Sequence, residues 1–571
     1  MKIKHLFGLA VIAAMSASCS SNEDLGTAGP GTGTNETGVG YATFTINLPT
    51  TSGTRAVGDP TFEDGDANEY DVFNATLLVF KKPTTATSEG EYTFVESVDL
   101  GSMQPWKDPS ETGVTTQAKI TAKLSNVDKS GEYFALVLLN NGSGADAKVN
   151  LPTDETTTYS AWNKADNATD KFDKTDKGFY MANAPLYNAT DKSVTTLVAI
   201  DKNKIFPTEA QASSGEAAAD IYVERGLAKV TLTDATKAEK TVGTSSSYAG
   251  DKVTISKWAL DVTNKKTFPI HNVDELGYED IWKNEPAATG PSTQRFVDNN
   301  ELTKAKRVYW GKDPNYSNST LNTDETARKA EFKYVTANTE VTADPTKPLY
   351  CLENTFNLAN MMQGQTTRVI FKASYTPKDF TAADGKTFYK IGTSVALWKQ
   401  KDLMDHIKAA VTKVISGATT DNTTINLAAK GNDITAAGNH EIKASNISVT
   451  GHTVTDAEAK AVCDKVGLTQ NAGISTYANG ESYYIARIKH FGDVLTPWNS
   501  GAYGTDNLKY LGRYGMLRNN WYELNVQSVS GPGYPDVPDV KPNTPDDEDD
   551  KYIKVSVKIL KWAKRSQNVD L

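Results

Sequence analysis

A mainly β protein of two sandwich domains, with a few short helices and one detached C-terminal strand, is the fold the sequence predicts. Three observations lead there. Short runs that alternate apolar and polar residues recur between clusters of Gly, Asn, Asp, Thr and Pro, the period of half-buried strands. Apolar residues at helical spacing are clear in only two segments, both in the second half of the chain. The last twenty-one residues, 551–571, carry a strand pattern set apart from the body by a proline-rich, acidic stretch. At 571 residues the chain is long enough for two or more domains of about 100–200 residues each.

The first element is an export signal over residues 1–19. Lys2 and Lys4 precede a ten-residue apolar run, 6–15, then Ser16-Ala17-Ser18 and Cys19, the anatomy of a bacterial secretory signal with a lipidation cysteine. The run is too short for a permanent transmembrane helix. Ser16 stands where a lipoprotein box prefers Leu, so an ordinary cleaved signal is the competing reading. Small and acidic residues, Ser20 to Asp24, follow the cysteine, and residues 26–40 are a Gly/Thr-rich tether. A first strand comes next over 41–48, with Phe44, Ile46 and Leu48 on one face. Pro49 ends it, and Arg55 then stands in a small, polar loop open to a trypsin-like protease.

The N-terminal domain is read over 56–240, with strands at 73–81, 118–124, 133–139 and 221–232. Residues 134–139 are apolar on both faces, which predicts a central strand. Residues 151–177 and 182–215 are turn-rich and read as surface loops. The C-terminal domain, 241–530, holds strands at 253–262, 350–354, 366–375, 483–490 and 521–529. Leu403, Ile407, Val411 and Val414 predict an amphipathic helix over 401–415. Thr455 and Glu458 form a capping box that starts a second helix, and Gly467 stops it. Residues 531–550, with five prolines and the run Asp546-Asp-Glu-Asp-Asp550, read as a linker.

Composition and motifs narrow the chemistry. A formal charge of −10 argues against a nucleic-acid partner. Beyond Cys19 only Cys351 and Cys463 occur, as a disulfide or as two thiols. No CxxC or HExxH spacing points to a metal, and no cofactor is expected. Asp64-Gly-Asp66-Ala-Asn68 lacks the glycine and the distal glutamate of a calcium loop and reads as an acidic loop. His406, His452 and His490 stand apart from any nucleophile elbow, so an enzyme is not expected. Trp258, Trp398, Trp498 and Trp521 read as core anchors rather than a sugar platform.

The tail and Arg55 carry the functional expectation. Ile553, Val555, Val557 and Ile559 share one face of the terminal strand, while Lys554, Ser556 and Lys558 share the other. Removing the first strand by cleavage between Arg55 and Ala56 opens a groove at a sheet edge, and an open edge templates pairing with a foreign strand. Burying the four apolar residues in such a groove contributes on the order of 6–12 kcal/mol before ordering costs. A head-to-tail contact that does not close propagates into a filament.

Several motifs in order along the chain carry a family resemblance. They are the signal with Cys19, Gly53-Thr-Arg55-Ala-Val-Gly-Asp59, Val223-Glu-Arg225-Gly-Leu-Ala-Lys-Val230, Tyr350-Cys-Leu-Glu-Asn354, Tyr483-Tyr-Ile-Ala-Arg-Ile488, Arg518-Asn-Asn-Trp-Tyr-Glu-Leu-Asn-Val526 and Val555-Ser-Val-Lys-Ile-Leu-Lys-Trp562 with the ending Val569-Asp-Leu571. The chain resembles the shaft subunits of the short fimbria of Porphyromonas and its Bacteroidia relatives, the type V pilins or fimbrillins. That resemblance implies two transthyretin-like sandwich domains, a precursor lipidated at Cys19 with palmitate and held at the outer membrane, and maturation by an arginine-specific surface protease after Arg55. Residues 20–55 are then a propeptide and 551–571 a donor strand. It further implies identical subunits joined head to tail, accessory anchor and tip pilins, and a host or bacterial surface receptor, in a fimbrium serving adhesion, biofilm formation and virulence. A tip or anchor subunit and a surface glycan-binding lipoprotein are the alternatives. A glycan binder would keep its lipid anchor and have no use for the tail strand.

Overall fold

The computed structural model describes residues 33–47, 69, 71–103, 117–128, 130–188, 193–273, 306–308, 310–355, 358–427, 442–467, 473–490, 511–546 and 553–561. Seven principal strands build the N-terminal unit: β1 (Gly40–Asn47), β2 (Ala75–Lys81), β3 (Thr93–Gly101), β4 (Gln117–Leu124), β5 (Tyr133–Leu139), β6 (Met181–Asn183) and β7 (Ala219–Arg225). They hydrogen-bond in the order β3-β2-β5-β6-β7-β1-β4, with Ile205–Phe206 also on β1. The sheet folds over so that Ala42, Phe44 and Ile46 of β1 share one apolar core with Leu77 and Val79 of β2 and Ala135 and Val137 of β5. β5 is buried on both faces as its unbroken apolar run predicts, because Leu136 and Leu138 pack into a second cluster with Phe80, Tyr159 and Trp162. A short helix, α1 (Glu209–Ser214), capped by Thr208 Oγ1, lies over β1 and β4.

The C-terminal unit is a sandwich of two four-stranded sheets. One has the order β10-β8-β13-β14, from β8 (Leu227–Leu232), β10 (Leu349–Leu352), β13 (Asn520–Val529) and β14 (Ile553–Lys561). The other joins Lys240–Thr241, β9 (Lys252–Asp261), β11 (Arg368–Thr376) and β12 (Glu481–Arg487). Val230, Tyr522, Leu524 and Val526 of the first meet Trp258, Phe371 and Tyr484 of the second in one core. Cys351 belongs to that core as a free thiol, and burial pushes it up to about 12. Cys463 sits in a separate cluster, its thiol donating to Ile442 O at 3.2 Å.

Between β11 and β12 the chain inserts a module with its own core. Helix α2 (Gln400–Val414) buries Leu403, Ile407 and Val411 against α3 (Asp456–Val466) and the short strands Phe388–Ile391 and Ile474–Tyr477. α3 starts at the expected capping box, Thr455 with Glu458, and ends at Gly467 in the left-handed region, φ 89°.

Three sequence expectations meet a different structure. The run read as one strand over 221–232 is two, β7 and β8, in different sheets. The break is at Gly226, where a Cβ would lie 2.6 Å from Phe172 Cε1, so only glycine lets the chain pass and change sheets there. The 182–215 segment read as loop contains strands of two or three residues and α1, too short to show a period. Residues 531–546 are no free spacer but a strap laid on the second unit: Tyr534 pairs with Tyr483, Pro538 O accepts from Arg368 Nη2 at 3.1 Å, and Thr366 Oγ1 donates to the buried Asp546 Oδ2 at 3.0 Å. A polar, proline-rich chain can be held this way because its prolines have no N–H in need of an acceptor and its carbonyls find donors on the body.

His490 lies in the sandwich interior with its Nδ1 2.8 Å from Tyr522 Oη, and burial lowers its pKa to about 3. It is neutral in the folded chain and protonates in the unfolded one below about pH 6.5, so the unfolded state binds more protons as pH falls. The body should therefore lose stability between pH 6.5 and 3, by about 1.4 kcal/mol per unit at steepest. Thermal melts of wild type and His490→Gln across this range test it, the variant's pH slope being expected to flatten.

Candidate functional site

β1 occupies a slot between two strands that run in opposite directions. On one side it pairs antiparallel with β4 over its whole length, from Gly40 opposite Leu124 to Asn47 opposite Gln117. On the other it pairs parallel with β7, from Phe44 opposite Ala219 to Asn47 opposite Tyr222. Its inward face is sealed, with Ala42, Phe44 and Ile46 each 0% exposed. Taking β1 away leaves two unsatisfied strand edges facing each other across an apolar floor that includes Ala122, Leu124 and Ile221.

The outer face of the slot is closed at Thr43 and, at the strand end, at Asn47, which is buried and donates to Asp220 and Ile221 O. Thr43, 1% exposed, lies 2.7 Å from Thr121 Oγ1 and donates to Ala212 O of α1 at 2.9 Å. Its neighbours Tyr41 and Thr45 are half-buried.

The terminal strand β14 is placed on the outer edge of its own second-unit sheet, antiparallel to β13. Positions 553, 555, 557 and 559 stand opposite Val529, Val526, Leu524 and Tyr522, all buried, and Val555 packs against the sandwich core. The single chain thus closes the edge of β13 with its own tail. The sequence pattern identified the strand and its repeat but carried no information about this local partner.

A buried polar clamp ties the two units together at the pole where β7 passes into β8. Glu69, 0% exposed, receives Lys229 Nζ at 2.6 Å and Tyr350 Oη at 2.6 Å, and its carbonyl accepts from Arg225 Nη2 at 3.1 Å. Lys229 also lies 3.9 Å from the ring centroid of Trp521. Beside it Arg518 grips Glu353 through Nε and Nη2, which holds the guanidinium charged although burial opposes it. Sequence reasoning passed over this clamp. Its one visible sign is charge inside an apolar run, Glu224, Arg225 and Lys229 among Val223, Leu227 and Val230.

Cys19, Arg55, Ala56, the 64–68 acidic loop and Trp498 lie outside the described residues. The histidines and tryptophans do not converge. His406 stacks on Trp398 at 4.9 Å, His452 contacts Glu458 at 3.0 Å, Trp258 is in the core and Trp521 is at the clamp. Among the described residues no group of three or more His, Cys, Asp or Glu could hold a metal, and no helix is long and apolar enough to cross a membrane.

Residues 475–568, from the strand before β12 through β14, match the family model for the C-terminal region of fimbrillin, the major fimbrial subunit protein type IV. No curated protein sequence matches the chain. Among solved structures, a protein of Parabacteroides distasonis described as a candidate cell-adhesion protein aligns over 93% of this chain and 99% of its own, with 11% identity and a TM-score of 0.35.

Proposed function

We propose that this chain, whose residues 475–568 match the fimbrillin C-terminal family model, is the structural pilin of a surface fimbrium used in adhesion and biofilm formation, assembled by protease-triggered donor-strand exchange. In this reading the precursor is held at the outer membrane by lipid on Cys19. An arginine-specific protease cuts between Arg55 and Ala56, β1 leaves with the propeptide, and the tail of another subunit, through Ile553, Val555, Val557 and Ile559, fills the vacated slot. Anchor and tip pilins end the array, and a host or bacterial surface receptor meets the finished filament.

The observation that carries the reading is the position of β1. Among the described residues it is the one strand that precedes Arg55, and it runs between β4 and β7 with its inward face fully buried. Loss of a strand so placed leaves hydrogen-bonding edges on both sides, which a foreign strand satisfies at once and water satisfies at the expense of the apolar floor. A slot at one end of the chain and a strand at the other make a heterologous contact, which extends without closing.

Substituting Arg55→Ala should leave uncut, unpolymerised precursor carrying palmitate. N-terminal sequencing of assembled filaments should find Ala56 first. Filaments built from chains that begin at Cys19 would refute the scheme.

A further inference from the structure

The geometry points to a single register for the incoming strand, with Ser556 taking the place of Thr43 beneath α1 and the strand running in the direction of β1. This rests on the strand-exchange reading above and adds to it the residue that sets the fit.

The slot is not uniform along its length. Its inner face accepts apolar side chains wherever β1 presents them, at Ala42, Phe44 and Ile46. A strand could therefore slip by two residues and still satisfy the apolar floor. Along the middle of the strand the outer face of the slot is covered at position 43, where Thr121 and the Ala212 carbonyl of α1 meet the Thr43 hydroxyl and Ser213 backs Thr121; the other covered outward position, Asn47 at the strand end, donates to Asp220 and Ile221 O and falls to Leu560 in this register. A lysine at position 43 would have its ammonium buried against a helix backbone, whereas at the half-buried positions 41 and 45 its stem can lie along the surface with the charge in water. The outward residues of the tail are Lys554, Ser556 and Lys558. Of these, only Ser556 is small and carries a hydroxyl to replace the two contacts of Thr43.

Placing Ser556 at position 43 sets Val555, Val557 and Ile559 at positions 42, 44 and 46, and the two lysines at 41 and 45. Two valines replace an alanine and a phenylalanine, and isoleucine replaces isoleucine. The segment Ile553-Lys-Val-Ser-Val-Lys-Ile559 reads identically in both directions, so the register is the same whichever way the strand runs. Direction is decided by the walls. Running as β1 does, the strand is antiparallel to β4 over eight register positions and parallel to β7 over four; reversed, the longer ladder becomes the weaker parallel one. One side chain must give way: Ile553 falls where Gly40 stood, and a Cβ there comes 2.6 Å from Ile205 Cγ2.

Cysteine pairs in the full-length chain, in a Cys463→Ser background cleaved by an arginine-specific protease, test this. Thr43 and Thr121 are register partners with hydroxyls 2.7 Å apart, so Ser556→Cys with Thr121→Cys should form intermolecular disulfides seen as a ladder on non-reducing gels. Lys558→Cys with Lys119→Cys, the partner of Thr45, should also link. A ladder from Lys558→Cys with Thr121→Cys would mean a slipped register, and one from Lys554→Cys with Lys119→Cys a reversed strand; either overturns the assignment. Polymer without any of these links also overturns it. Ser556→Lys should abolish polymer from a monomer that still folds, and Ser556→Thr should retain it. If a chain lacking 551–571 still polymerises, strand exchange itself fails. If that truncation blocks polymer while the cysteine pairs do not link, only the register is wrong.

Discussion

A chain ending at Asp550 should fold, stay soluble as a monomer and form no filaments. Among the described residues β14 is an edge strand whose one ladder is with β13, so its removal leaves the other strands of both sandwich sheets and the N-terminal unit in place. The cost to the body should be on the order of 2 kcal/mol, from uncovering the β13 edge and the core face that Val555 touches. Polymerisation, by contrast, should be lost entirely. Val557→Asp should do nearly the same, because a carboxylate forced into an apolar slot costs several kcal/mol unless it neutralises. Lys554→Ala, on the other face, should be mild. Electron microscopy and size-exclusion chromatography of the three variants settle the matter. Normal filaments from the truncated chain, or equal effects at 557 and 554, would contradict the assignment.

The second large effect is expected at the clamp. Lys229→Met strips the ammonium from Glu69, whose side chain is 0% exposed and keeps the Tyr350 hydroxyl, and a buried carboxylate that has lost this positive charge should destabilise the fold by about 3–5 kcal/mol. Adding Glu69→Gln should recover most of that loss, since the double variant buries no uncompensated charge. Denaturant midpoints of the single and double variants give the coupling. Equal midpoints for both would show that the pair is not what holds the junction. Position matters here as much as energy. Glu69 follows Arg55 in the chain, so the proposed cut would leave Glu69 in the clamp and sever the covalent link to β1, whose ladders with β4 and β7 would still have to be exchanged.

How far the sequence could be read follows from the range of each interaction. β2, β4, β5, β9, β11 and β13 appear as period-2 or unbroken apolar runs, and α2 and α3 as helical spacing with caps, because these signals are written within a few neighbouring residues. The break at Gly226 was hidden because the residue that enforces it, Phe172, lies far away in the chain. The clamp was hidden for the same reason: Glu69, Lys229, Tyr350 and Trp521 meet only after both units have folded. The strap read as a spacer because proline and aspartate are usually solvated, and nothing local announces that Asp546 ends buried under Thr366. For the candidate site, the alternation of 553, 555, 557 and 559 was legible, while the slot that β1 fills could be inferred only as an edge, without its two walls or its closed roof at Thr43.

The strap also bears on mechanics. With residues 531–546 fastened to the body, the chain from Asp546 to the start of β14 at Ile553 covers seven residue steps, which span at most about 25 Å when fully extended. Adjacent subunits joined through the tail would have to sit almost in contact, with little slack between them. Tension along such a fibre would pass from the strand, pulled lengthwise against ladders on both sides, through this short bridge to the buried carboxylate of Asp546 and the carbonyl of Pro538, and from there into the sandwich. Failure under load would then be governed by the unfolding rate of a body rather than by the stretching of a hinge, giving a stiff rod in place of a chain of beads on string.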